Sequence, residues 1–190
     1  MSAAIWSRRR VLVSAVAGAA AWPLSGAGSR AHAAPGAASA ESSRWLELIN
    51  THTSETLSAE YRTAQGLVGN ALDQLAHVLR DHRSGAVHPI DPALYDQLSG
   101  LAHAARVEPR FEIISGYRSP QTNARLAANS GGVAKHSLHM QGKALDIRLQ
   151  GVTCARLRDL ALDSARGGVG YYRASNFVHI DTGRVRAWAG

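Results

Sequence analysis

The first forty residues constrain this chain most, because they remove about a fifth of it from any packed core. Ser7-Arg8-Arg9-Arg10-Val11-Leu12 is a twin-arginine pattern, and an apolar run follows from Val11 to Trp22. Ala31-His32-Ala33 then offers small residues at the two positions a signal peptidase reads. Residues 1–33 are therefore expected to be a twin-arginine signal peptide, cut before Ala34. A retained membrane anchor is the alternative, but this Ala- and Gly-rich run is shorter than the ~20 apolar residues a helical span needs. Residues 34–40 form a Pro/Gly/Ala/Ser linker, so a single domain is expected over 41–190.

The core of that domain must hold without covalent help. Cys154 is the only cysteine, which excludes an intramolecular disulfide even in an oxidising compartment. Within a helical pattern it reads as a small buried hydrophobe. The formal charge of +7 is partly carried by the leader, whose four arginines stand with no acidic residue, so the mature chain keeps only +3. That balance suits an anionic polymer. It is not the footprint of a nucleic-acid binder, and no basic stripe interleaved with aromatics is present. A monomer with no membrane span after cleavage is expected.

Periodicity places the elements. Arg44–Thr51 and Glu55–Arg62 read as a strand pair, the second with Leu57, Ala59 and Tyr61 on one face. Gly66–His82 carries Leu67, Ala71, Leu72, Leu75, Val78 and Leu79 at helical spacing. Asp91-Pro92 and Ser119-Pro120 are cap-then-proline signals, opening helices to about Ala105 and Ala128. Phe111–Ser115, Ala144–Leu149, Val169–Tyr172 and Phe177–Asp181 read as strands, Thr153–Arg166 as a helix, and Asn129–Ser137 as a loop. Helices mainly early and strands mainly late predict an α+β fold with a small, mostly antiparallel sheet flanked by helices.

Chemistry concentrates in Ser137-Leu138-His139-Met140-Gln141-Gly142-Lys143-Ala144-Leu145-Asp146. His139 leaves a turn that Gly142 allows to be tight, and Asp146 follows on a strand face whose neighbour is the small Ala144. His179 and Asp181 later share a strand face. Two imidazoles and a carboxylate suit zinc and leave a fourth position for water. Spacing alone leaves the alternative open, since nine histidines occur and most histidines are surface or satisfied core residues.

Ser-x-His-x-x-Gly-x-Ala-x-Asp followed by a terminal strand His resembles the superfamily of D-Ala-D-Ala carboxypeptidases, lysostaphin-like peptidases and the hedgehog zinc domain. Ser115-Gly116-Tyr117-Arg118-Ser119, Leu48–Glu55, Leu79–His82, Val169–Tyr172 and Phe177–Gly183 resemble its murein endopeptidase K-like, twin-arginine-exported branch. The likeness runs from about Arg44 to Gly190. It implies one zinc ion on His139, Asp146 and His179, with Arg118 polarising the scissile carbonyl or gripping a substrate carboxylate. A surface salt bridge is the plain alternative for Arg118. Ser137 is expected to bind substrate or orient His139, unless it is simply a loop serine.

In several relatives a general-base carboxylate precedes the last ligand by three residues. Here that position is Asn176. Asp181 is then either the base or the acceptor of a ligand histidine's ring N–H. His136 is expected to face solvent. The resemblance implies an exported, periplasmic or extracellular zinc peptidase that cuts peptide cross-links of peptidoglycan with a zinc-activated water as nucleophile. A D,D-carboxypeptidase and a non-catalytic zinc-containing wall-binding module are the alternatives.

Overall fold

The computed structural model describes residues 43–129 and 134–190. The signal-peptide and linker expectations for residues 1–33 and 34–40 lie outside them. Eight strands form one mixed sheet: β1 Arg44–Asn50, β2 Thr56–Thr63, β3 Gly66–Leu67, β4 Arg110–Ser115, β5 Ala144–Leu149, β6 Gly168–Tyr172, β7 Phe177–Asp181 and β8 Arg186–Ala189. Their spatial order is β3-β2-β1-β4-β5-β7-β6-β8. Only β1/β4 and β6/β8 pair in parallel; the other neighbours are antiparallel. Four helices flank the sheet: α1 Gly69–Val78, α2 Pro92–Ala105, α3 Pro120–Asn129 and α4 Cys154–Ser164. The fold is α+β as expected, but the sheet is larger than the sequence suggests.

The period of two divides the central strands into two faces. Leu46 and Leu48 of β1, Phe111 and Ile113 of β4, Leu145, Ile147 and Leu149 of β5, and Val178 and Ile180 of β7 are all buried on one face. The apolar stripes of α1, α2 and α4, including Leu75, Leu94, Leu98 and Leu157, complete that core. Cys154 is buried there too, without a partner thiol. Burying one such leucine is worth about 1.5–3 kcal/mol, so this face carries most of the stabilisation. The opposite face of β5 and β7 is thereby free to carry polar groups.

Both cap-then-proline signals form as read. The Asp91 carboxylate accepts from the Ala93 N–H at 3.0 Å, and the Ser119 hydroxyl accepts from the Thr122 N–H at 3.3 Å. Two elements differ from expectation. α1 starts at Gly69 because Gly66 and Leu67 first pair with Thr63 and Arg62 as β3. It ends at Val78 because the next residues are drawn into other contacts. The Leu79 carbonyl accepts from Tyr117 N–H at 2.7 Å, and the Asp81 N–H reaches the Ala86 carbonyl at 3.0 Å. The second difference is β8, unanticipated because four residues are too few to show a period.

Candidate metal centre and cavity

Cross-strand register creates the site. Asp146 on β5 lies directly opposite His179 on β7. Their neighbours Leu145, Ile147, Val178 and Ile180 point into the core, so alternation sends both polar side chains to the other face. His139 arrives from a 3-10 turn, Leu138–Gln141, which Ser137 caps by accepting the His139 N–H at 3.3 Å. Gly142 ends that turn at φ +64°, where a Cβ would sit 2.1 Å from the Pro89 carbonyl oxygen. Only glycine meets both demands.

The three side chains converge. His139 Nε2 is 3.2 Å from His179 Nδ1 and 3.4 Å from Asp146 Oδ1, while His179 Nδ1 is 2.9 Å from the same oxygen. All three are buried. The remaining ring nitrogens are committed elsewhere. His139 Nδ1 is 2.8 Å from the Gly116 carbonyl, which can only accept, so the proton is assigned to Nδ1. His179 Nε2 is 3.1 Å from Asp181 Oδ2, which assigns its proton to Nε2 in the same way. Two imidazole lone pairs and a carboxylate oxygen then face one point. That arrangement is repulsive unless a proton or a metal ion lies between the facing atoms, and an N/N/O set that could hold a metal ion is the result.

Burial lowers the His139 pKa, and the nearby Asp146 only partly opposes this. For Asp146 burial acts upward, but His139 and His179 outweigh it and hold the carboxyl below the usual carboxylate range. At His179 burial acts downward, but Asp146 and Asp181 outweigh it and raise the pKa, so a metal ion would have to displace a proton there.

Arg118 enters from the loop after β4. Its Nη2 lies 3.7 Å from Asp146 Oδ2, and its backbone N–H donates to the His139 carbonyl at 3.2 Å. Burial lowers its pKa and Asp146 opposes the shift. Its side-chain bonds to Asn123 and Ser115 are long, at 3.4 and 3.3 Å, and Nε has no partner. The long bonds leave donor capacity on the two Nη groups, whereas Nε is itself buried. Asp81 anchors this loop: its carboxylate accepts from the Ser119 N–H and hydroxyl at 3.1 and 2.6 Å.

Asp181 stands behind His179 rather than in front of it. It is fully buried, does not line the cavity, and both its oxygens accept hydrogen bonds. Of its two possible roles, the geometry favours holding the His179 ring. Asn176 occupies the β6–β7 turn, with its carbonyl accepting from Arg148 Nε at 2.6 Å, and also lies outside the cavity lining. Ser137 lines the cavity while capping the turn that carries His139.

The cavity above the trio has a volume of about 470 Å³. His136 is exposed, as expected, and also forms part of the cavity wall. Sequence reasoning missed the aromatic wall formed by Tyr172, Phe177 and Trp188. The Tyr172 and Phe177 rings stack at 4.6 Å, and Trp188 Nε1 donates to the Tyr172 hydroxyl at 3.0 Å. Aromatic residues at Tyr172, Phe177 and Trp188 were the available signal, but bringing Trp188 to the other two depends on a parallel pairing that no local pattern announces.

A protein-family profile described as "Peptidoglycan L,D-endopeptidase MepK" matches residues 38–188. The chain is 45 % identical over 145 residues to the peptidoglycan L,D-endopeptidase MepK of Escherichia coli strain K12, covering 76 % of this chain and 80 % of that protein. The protein of the same name from Shigella flexneri matches to the same extent. A probable peptidoglycan L,D-endopeptidase MepK of Haemophilus influenzae is 41 % identical over 148 residues, covering 77 % and 80 % of the two chains. No solved structure matches the chain at a significant level.

Proposed function

This chain belongs to the peptidoglycan L,D-endopeptidase MepK family, and from that membership we propose that it hydrolyses L,D-peptide bonds in peptidoglycan cross-links. The observation that carries the proposal is the convergence of His139, Asp146 and His179 at a cavity that Arg118 also lines. We assign these three side chains to one zinc ion, whose ligand preferences match two imidazoles and a carboxylate. When bound, zinc supplies Lewis acidity and lowers the pKa of a water in the open position to about 7.

The chain's own residues supply the rest. Gly116 and Asp181 hold the two imidazoles in their ligating tautomers, and Ser137 fixes the turn that carries His139. Arg118 donates to the scissile carbonyl oxygen, where negative charge develops as the attacking water adds to carbon. A guanidinium can also grip a substrate carboxylate bidentately. Proton transfer requires a titratable group that faces the cavity and is not otherwise engaged. Among the described lining residues Arg186 is bound to Asp181 and the Tyr172 hydroxyl accepts from Trp188, whereas His136 presents an exposed imidazole at the cavity wall. We assign it to take the proton from the water and deliver it to the leaving nitrogen as the C–N bond breaks.

Residues 1–33 fit the role as a cleaved leader and 41–190 as the mature catalytic domain, acting in the periplasm where peptidoglycan lies. No described helix is long and apolar enough to cross a membrane. The test is digestion of purified cross-linked muropeptides by the mature chain, after chelation and after zinc add-back, with products weighed by mass spectrometry. Dimers split into monomers by one added water, only with zinc, are expected. Release of a terminal D-Ala alone would make the chain a carboxypeptidase, and binding to sacculi with no product would make it a wall-binding module.

A further inference from the structure

The metal reading above makes His179 a ligand, and the structure places a second layer of residues behind it. Among the described residues, β8 is an edge strand whose only partner in the sheet is β6. In that pairing Gly168 lies opposite Arg186 and Gly170 opposite Trp188, while Gly170 also lies opposite His179 on the other side. Both β6 positions are bare. A Cβ on Gly168 would come within 2.3 Å of Arg186 Nη1 and 2.4 Å of Asp181 Oδ2, and one on Gly170 within 2.6 Å of the Trp188 ring. The missing side chains open a corridor across β6, through which β8 reaches β7.

Arg186 uses that corridor. Its Nη1 donates to Asp181 Oδ1 at 3.0 Å and its Nη2 to Asp181 Oδ2 at 2.6 Å, a two-pronged grip on a carboxylate with no exposed surface. Asp181 Oδ1 also accepts from the Gly168 and Gly183 N–H groups, at 2.9 and 2.8 Å. Oδ2 has one other partner, His179 Nε2. The guanidinium sits 4.9 Å from the centre of the Trp188 ring, and that ring is 5.1 Å from His179. Arg186 is thus both counter-ion and orienting clamp for the group that orients His179.

We propose that Arg186 is a positioning residue of the metal centre, fixing Asp181 and through it the His179 ring with Nδ1 turned toward the ion. The terminal strand is then a latch on the third ligand. Without the fork, the buried carboxylate loses its counter-ion, and the oxygen facing His179 is no longer held in place. Partners that orient metal-bound histidines typically contribute 10–100-fold to metal affinity.

The test measures zinc dissociation constants by competition with a chromophoric chelator for the wild-type chain, Arg186→Ala and Arg186→Lys. Near-UV circular dichroism reports folding, and the visible spectrum of the cobalt-loaded proteins reports ligand geometry. Arg186→Ala is expected to bind zinc about 10–100-fold more weakly, with a changed cobalt spectrum. Added guanidinium ion should restore most of the affinity, which a general loss of structure would not allow. Arg186→Lys should fall between, because an ammonium keeps the charge but not the fork. If Arg186→Ala does not fold, Arg186→Lys decides alone, and wild-type affinity in that variant overturns the proposal. So does an Ala variant that binds zinc within about twofold of wild type. A wild-type chain that binds no zinc would instead overturn the metal assignment itself.

Discussion

His136 and Arg118 line one cavity, and their removal should fail in different ways. If Arg118 donates to the developing oxyanion as proposed, Arg118→Ala should lower kcat by about 10²–10³-fold. If His136 carries the proton as proposed, His136→Ala should lose about 10²–10⁴-fold, and added imidazole should partly reverse the loss. Zinc content, measured by atomic absorption, should stay at one ion per chain in both. Loss of zinc from His136→Ala would make that residue a support of the metal site and not a proton carrier. Asp81 acts at the same scale without touching the trio. Burial pushes its carboxyl upward, but bonds from Ser119, Ser84 and the Arg83 N–H outweigh this and hold it below the usual range. A folded-state pKa depressed below the unfolded value of about 3.9 adds stability above that value and loses it as pH falls toward the folded value. The stability gap between wild type and Asp81→Asn, read from urea unfolding, should therefore be full near pH 6 and shrink below about pH 4. A gap that widens on acidification would contradict this account.

At the scale of elements, turns decide where the candidate ligands land. The 3-10 turn carrying His139 is capped at one end by Ser137 and closed at the other by Gly142, whose carbonyl accepts from Asp91 N–H at 2.9 Å. One residue thus joins the ligand turn to the start of α2. Gly142→Ala is strained twice, by a positive φ and by contact with Pro89. Each such strain costs on the order of 1–3 kcal/mol, so a drop of at least that size in unfolding free energy is expected, together with weaker zinc binding. Unchanged stability would show that the turn can relax. α1 illustrates the opposite limit, where apolar spacing from Gly66 to Leu79 is helical but the chain spends both ends elsewhere. Gly66 and Leu67 satisfy ladder bonds of β2, and Leu79 offers its carbonyl to Tyr117 in the loop that holds Arg118. Periodicity describes which face is buried. It does not say whether the terminal backbone groups will find better partners.

For the molecule as a whole, metal and fold should be linked. The trio joins β5, β7 and the turn after residue 137 in a chain with one cysteine and no disulfide. An ion bound only by the folded state stabilises it by about 2.7 kcal/mol at a free concentration one hundred times Kd. For a domain of this size that corresponds to roughly 5–10 °C in Tm. Chelation should lower Tm by that amount and zinc add-back restore it, followed by calorimetry. His139→Ala should show the lower Tm with or without zinc. A chain whose melting ignores both chelator and zinc would argue against a shared ion at this site.

The amino-acid sequence by itself determined what depends on near neighbours. Asp91-Pro92 and Ser119-Pro120 could be read as helix starts because cap, proline and first turn lie within four residues. Alternation placed Asp146 on one strand face and Leu145 and Ile147 on the other, and the same held for His179 between Val178 and Ile180. The candidate ligands were therefore legible as types in order, with Gly142 as the pivot. Only the tertiary structure decided what those residues face. The register opposing Asp146 to His179, the Gly116 carbonyl behind His139, and the carboxylate of Asp181 behind His179 each join segments through backbone pairing or loop packing. The parallel β8 that brings Arg186 and Trp188 across two bare glycines does the same. Local sequence sets the direction in which a side chain points, through fixed periods and caps. Long-range pairing energy, spread over many residues, sets what stands opposite it.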